Sequence, residues 1–196
     1  MSKSLRVAAV DLNGQLRGKR VPKGMSSKQM RMPLSVLNID VFGADIEESP
    51  LVFETGDQDG IMEPTGRDPL PLPWVAGAAE LDLRVMHNED GSPFEGDPRI
   101  ALSSVLDRYA RHGWQVIAAC ELEFFLLEDG CNLTPPLNPK TGRRLTGTEI
   151  LSLRELDGFD LFFNDVAEGA KLMGIGDLTI TTEAGVGQFE VTMTHG

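Results

Sequence analysis

The chain is poor in the residues on which many functional sites are built. Its 196 residues include two cysteines, three histidines, two tryptophans and one tyrosine. Cys120 and Cys131 form no CxxC pair, so neither a redox motif nor a disulfide framework is encoded. A reducing compartment, the cytoplasm, is the expected setting. The histidines are scattered and cannot make a His-rich metal site. Basic residues are also scarce: 18 Lys and Arg against 30 Asp and Glu leave a net charge of -12. That balance argues against nucleic acid, whose binders carry a basic patch, and against an anionic membrane surface. No apolar run reaches the roughly 20 residues that span a bilayer. The N-terminal MSKSLRVAAVDLNG meets Asp11 too early for a signal peptide.

What is present suffices for a packed core, since 41% of the residues are hydrophobic. Leu5–Val10 reads as a strand, Asn13-Gly14 as a hairpin turn and Gln15–Val21 as the return. Pro22 and Gly24 break that strand. A short helix is expected over Ser26–Arg31 and a strand over Leu34–Val41. Gly43–Trp74 is acidic and rich in loop signals, with GDQDG at 56–60 and PLPLPW at 69–74. Ala79–His87 alternates as a strand. NEDGSPFEGDP, 88–98, reads as a connector, which places a domain boundary near 95/96.

Beyond it, Asp97-Pro98 suits the start of a helix. Ile100, Leu102, Val105, Leu106 and Tyr109 recur at helical spacing, and His112-Gly113 closes it. Gln115–Leu127 reads as a buried strand. Residues 131–150 read as a loop and Phe159–Met173 as a second amphipathic helix. Leu178–Glu183 and Gly187–Thr194 read as strands around Ala184-Gly185-Val186. Ending at Thr194-His195-Gly196, the sequence has the look of a cut within a larger domain.

Four carboxylates stand out on these strands. Residues i and i+2 share a face of a strand, so Glu121 and Glu123 point the same way, about 7 Å apart along it. Glu190 lies on the polar face of GVGQFEVTMT, and Glu183 on that of LTITTE. Were the three strands to pair in one antiparallel sheet, the four glutamates would converge. Mutual repulsion would then protonate some of them, unless hard divalent cations with all-oxygen ligands, Mg²⁺ or Mn²⁺, neutralised them. The same spacing also describes the ordinary solvated face of a sheet.

The ordered set of motifs resembles the glutamine synthetase family along essentially the whole chain. DLNGQLRGKRVP (11–22) resembles its N-terminal strand-turn-strand, and GDQDG with PLPW the loop before the catalytic domain. EDGSPFEGDPRIAL (89–102) resembles its linker and first helix. CELEFFLL (120–127) and TTEAGVGQFEVTM (181–193) resemble its metal-binding strands. The resemblance implies an α+β fold. A β-grasp domain over 1–95 would precede, over 96–196, the start of a catalytic domain with a curved antiparallel sheet.

It also implies an ATP-dependent ligase that joins glutamate to ammonia or an amine through γ-glutamyl phosphate, served by Mg²⁺ or Mn²⁺. By motif position, Glu123, Glu183 and Glu190 would hold the metal nearer glutamate. Glu121 would be a ligand of the metal that orients the ATP phosphates. Asp40 would correspond to an aspartate that reaches a neighbouring subunit's catalytic site in a homo-oligomer, although it reads equally well as a loop cap. Arg17, Lys19 and Arg20 read as solvated hairpin charges.

Two departures matter. Thr181-Thr182 stands where many glutamine synthetases carry histidines, and PLPLPW and SPF look more like the γ-glutamyl-polyamine branch. Both point to an amine acceptor. The chain is also short for the family, so by itself it is expected to be inactive. The rival reading is a truncated, non-catalytic relative that binds a divalent cation or docks on full-length subunits.

Overall fold

The computed structural model describes residues 4–130 and 132–195; Cys131 and the terminal Gly196 lie outside that range. The fold is α+β. It comprises β1 (Ser4–Val10), β2 (Leu16–Pro22), β3 (Met30–Pro33), α1 (Pro50–Phe53), β4 (Asp59–Pro64), β5 (Leu70–Pro71), β6 (Glu80–His87), α2 (Pro98–Arg111), β7 (Glu121–Phe125), α3 (Leu153–Gly158), α4 (Asp160–Leu172), β8 (Leu178–Thr182) and β9 (Gln188–Met193). The chain packs as two compact units, Met1–Val116 and Ile117–Gly196. Relative to a boundary at 95/96, this division leaves α2 and the segment after it with the first unit.

The first unit is a six-stranded sheet in the order β2-β1-β6-β4-β3, with β5 paired to β6. Only β1 and β6 run parallel; their neighbours are antiparallel. Leu5, Val7 and Ala9 of β1 point one way and meet Met30, Met32, Met62 and Met86 in one buried cluster. Asp82 and Arg84 alternate onto the same face of β6 as Met86 and are themselves buried. They pair with each other at 2.5 Å, and Arg84 also donates to the Ser26 carbonyl at 2.8 Å. A charge in a core needs such a partner.

The β1–β2 turn is fixed by Asp11, which is 1% exposed. Its carboxylate accepts from Asn13 N, Gln15 N and Arg17 Nε at 2.8–2.9 Å. Burial pushes this carboxyl up. The hydrogen bonds from Gln15, Arg17 and Asn13 outweigh burial and hold it below its ordinary range. Asp97, fully buried, caps α2 by accepting from Arg99 N and Ile100 N, and ties the helix to β6 through Met86 N.

Four local expectations fail. Residues 26–29 turn instead of forming a helix, and Met30 and Met32 lead off strand β3, both buried by alternation. Leu34–Leu37 is a single 3-10 turn, not a strand. Leu34 and Leu37, three apart, both reach the core, a spacing a strand cannot satisfy. The acidic region 43–74 contains α1, β4 and β5, and β4 is held between β3 and β6. Finally, the strand expected over Gln115–Leu127 contracts to Glu121–Phe125. Among the described residues only β9 pairs with it, so the strand is an exposed edge: Leu122 is 51% and Phe125 53% exposed.

In the second unit β9 is the centre of a three-stranded antiparallel sheet, β7-β9-β8. Phe189 of β9 is fully buried, and its ring centroid lies 5.1 Å from Phe159 and 5.0 Å from Phe163. This aromatic hub fastens α4 to the sheet and fixes which face of β9 is turned inward.

Candidate metal centre

Burying Phe189 and Val191 forces Gln188, Glu190 and Thr192 onto the opposite face of β9. The register then decides what they meet. Glu190 lies directly across from Glu123 of β7 on one side and Thr181 of β8 on the other. Thr192 lies between Glu121 and Thr179. Glu183, just past β8, donates its amide to the Gln188 carbonyl at 2.9 Å, which sets it beside Gln188. All four glutamates therefore belong to one face of one sheet. Directly opposed residues on such a sheet have Cβ atoms about 4.5–5.5 Å apart, close enough for like charges to repel.

None of the four carboxylates is in an ion pair among the described residues. Their contacts are neutral. Gln188 Nε2 donates to Glu123 Oε2 at 2.8 Å, and Thr192 Oγ1 donates to Glu190 Oε1 at 2.5 Å. Glu121 and Glu123 are exposed, and Glu183 and Glu190 half-buried. In this side-chain arrangement no three acidic, histidine or cysteine groups stand close enough together to hold a metal among the described residues. The donor set nonetheless fits a hard divalent cation, being all oxygen, anionic and without internal counter-charge. Ligation by Glu123 and Glu190 would exchange two neutral hydrogen bonds for metal bonds.

Gln188 is a site residue that strand alternation alone did not single out. Its amide bridges Glu123 and the Gly185 N–H, which donates to Gln188 Oε1 at 2.8 Å. A side chain at 185 would come within 2.6–2.8 Å of the Phe125 ring and the Gln188 amide oxygen, so both would have to shift to admit it. Thr182 points inward from β8 and is 2% exposed. Its hydroxyl donates to the Glu149 carbonyl at 2.6 Å and accepts from Ser152 N at 2.8 Å. It thereby anchors the 149–152 segment next to Glu183.

Asp40 belongs to the first unit. Its Oδ1 accepts from Phe42 N and Ala44 N, both at 2.8 Å, and closes a loop whose tip exposes Val41 and Phe42. The structure thus shows Asp40 capping its own loop. Cys120 is an exposed free thiol, and no helix is long and apolar enough to cross a membrane among the described residues.

Residues 95–196 match the family model for the glutamine synthetase catalytic domain. Gamma-glutamylputrescine synthetase of Escherichia coli K12 is 33% identical over 203 aligned residues, which cover 96% of this chain and 42% of that protein. A glutamate–isopropylamine ligase of a Pseudomonas species is 26% identical over 132 residues, 64% of this chain and 28% of that one. Among solved structures, a glutamine synthase homologue superposes on the whole chain with a TM-score of 0.78 at 20% identity, covering 44% of its own length. This last likeness speaks for the fold alone. The chain spans about two fifths of the length of the relative that it matches from end to end.

Proposed function

The chain belongs to the glutamine synthetase family, and we propose that it supplies the metal-binding strands of a ligase that joins glutamate to an amine with ATP. The observation that carries this reading is the register of β7, β9 and β8. It gathers Glu121, Glu123, Glu183 and Glu190 on one face, with none of them in an ion pair among the described residues. Glu123, Glu183 and Glu190 would hold a divalent ion beside the glutamate substrate, and Glu121 would contribute to one beside the ATP phosphates. When bound, Mg²⁺ or Mn²⁺ would neutralise phosphate charge and orient the attacking carboxylate. Gln188 positions Glu123, and Thr192 positions Glu190.

An organic amine is favoured over ammonia as acceptor. Thr181 and Thr182 replace the expected histidines, and the two relatives named above act, by their names, on putrescine and isopropylamine. Asp40 is assigned to a neighbouring subunit's catalytic site in a cytoplasmic homo-oligomer, its loop closed in advance by its own amides. The 196 residues alone are assigned metal binding without turnover.

Calorimetry with Mn²⁺ at pH 7 tests the core of this reading. The wild-type chain should bind. Glu123→Ala and Glu190→Ala should each weaken binding at least tenfold, while Glu47→Ala, in an exposed loop of the first unit, should leave it unchanged. Equal binding by all four proteins would overturn the assignment of the face.

A further inference from the structure

Three of the four glutamates lie inside strands, where ladder bonds fix their backbone: Glu121 and Glu123 in β7, and Glu190 in β9. Glu183 does not. It follows the last residue of β8, an edge strand that only β9 pairs among the described residues. On the β9 side it is held by its own amide, which donates to the Gln188 carbonyl. The placement of Glu183 therefore depends on what steadies the other side of the strand end.

The 149–152 segment occupies that side and grips Thr182 at two points. Leu151 N donates to the Thr182 carbonyl at 3.0 Å, and Ser152 N to the Thr182 hydroxyl at 2.8 Å. The hydroxyl in turn donates to the Glu149 carbonyl at 2.6 Å. Leu151 sits at a φ of +54° with its side chain 68% exposed. A non-glycine residue persists in that left-handed conformation only where its surroundings hold it there, and here the two bonds to Thr182 flank it. Ser152 links the clasp onward. Its hydroxyl donates to Glu149 Oε2 at 2.7 Å and accepts from Glu155 N at 3.3 Å, capping α3. The end of β8 and the start of α3 are thus joined through Thr182. By strand alternation its side chain points away from the acidic face, where Thr181 lies across from Glu190. It is 2% exposed and cannot itself touch an ion bound on that face.

We propose, resting on the reading of the acidic face as a metal site, that Thr182 is a positioning residue. Through the 149–152 clasp it sets the backbone of Glu183 for metal binding, and a bound metal tightens the clasp in return. Reciprocity requires the second effect: if an ordered clasp raises metal affinity, bound metal orders the clasp by the same factor. A clasp that served only the fold would feel nothing local from an ion on the opposite face of the sheet.

Both directions are measured on fully folded protein, well below the unfolding midpoint. In calorimetry with Mn²⁺, Thr182→Val should bind at least about fivefold more weakly than wild type, the low end of a coupling between sites. Thr182→Ser, which keeps the hydroxyl, should match wild type. In native-state hydrogen exchange, saturating Mg²⁺ should slow the Leu151 and Ser152 amides of the wild type more than it slows those of α4 in the same unit. Binding by wild type and Thr182→Val with equal affinity would overturn the proposal and leave the metal site standing, as would equal slowing of the clasp and α4. A wild type that binds neither ion would overturn the metal site and the proposal with it. Should Thr182→Val fail to fold, the wild-type exchange decides.

Discussion

The buried acids of the first unit and the sheet-face acids of the second are handled in opposite ways. In the first, each of the three acids that pin its sheet, turn and helix meets its complement. Asp11 has two amides and Arg17, Asp82 has Arg84, and Asp97 has three amides. In the second, four glutamates share a sheet face and Glu155 sits buried at a cavity, with no cation paired to any of them among the described residues. Charge matched within the fold serves the fold. Charge left over on a rigid, well-packed strand is available to something that is not protein. The contrast lies in the pairing, since both units have ordinary cores and both bury acidic groups.

The sharpest way to break the comparison is to unmatch a charge in the first unit. Asp82→Ala leaves the Arg84 guanidinium buried with the Ser26 carbonyl as its remaining partner. Removing one member of a buried pair costs about 3–5 kcal/mol, so urea unfolding should show a loss of that order. The double variant Asp82→Leu with Arg84→Met should recover most of it. A smaller loss is expected in the second unit from Thr182→Val, which keeps the side-chain shape and deletes the hydroxyl. The Ser152 N–H and Glu149 carbonyl then lose their shared partner but keep their direct 3.1 Å bond to each other, so the loss should be about 0.5–1.5 kcal/mol, the net worth of a hydrogen bond. The 149–152 segment should exchange its amides faster, while the β1–β2 hairpin keeps its protection.

The sequence made legible those elements whose local signals agreed with their packing. Asp97-Pro98 and the 3.6-residue period specified α2, and Asn13-Gly14 the hairpin. The alternation of Phe189, Val191 and Met193 against Gln188, Glu190 and Thr192 specified which side of β9 faces out. Elements were misread where tertiary packing decided. Leu34, Val36, Leu37 and Ile39 form a short apolar run that periodicity cannot assign to strand or turn. Strand β4 is hidden among Asp, Gly and Pro because its neighbours β3 and β6, not its own propensity, hold it extended.

Helix α3 carried a readable signal, the Ser152–Glu155 spacing, which the loop-rich surroundings masked. For the acidic face, alternation and the β7-β9-β8 register agree in putting all four glutamates on one side of the sheet. Alternation could not show that β9 sits centrally, nor that Gln188 and Thr192 hold Glu123 and Glu190.

A gentler perturbation uses acidity. Asp11 has a folded-state pKa below its unfolded value of about 3.9, so its contribution is complete above that value and is lost as pH falls through the folded pKa. The stability gap between wild type and Asp11→Asn should be constant from pH 7 to about pH 5 and should close in more acidic urea titrations. A gap that stays constant to pH 2 would contradict the matched-charge account of this turn.

The smallest effect has the opposite sign. Glu123 and Glu190 are directly opposed like charges, and such pairs destabilise a sheet by roughly 0.2–1 kcal/mol. Glu190→Gln removes the repulsion while keeping the shape and a hydrogen-bonding oxygen for Thr192. In metal-free buffer it should therefore raise stability by that amount, more at low salt than at high salt. Added Mn²⁺ should reverse the ranking, because an ion that binds only the folded state stabilises it by mass action and the wild type binds better. A variant less stable than wild type in metal-free buffer would mean that Glu190 already has its complement within the fold, and the difference between the two units would disappear.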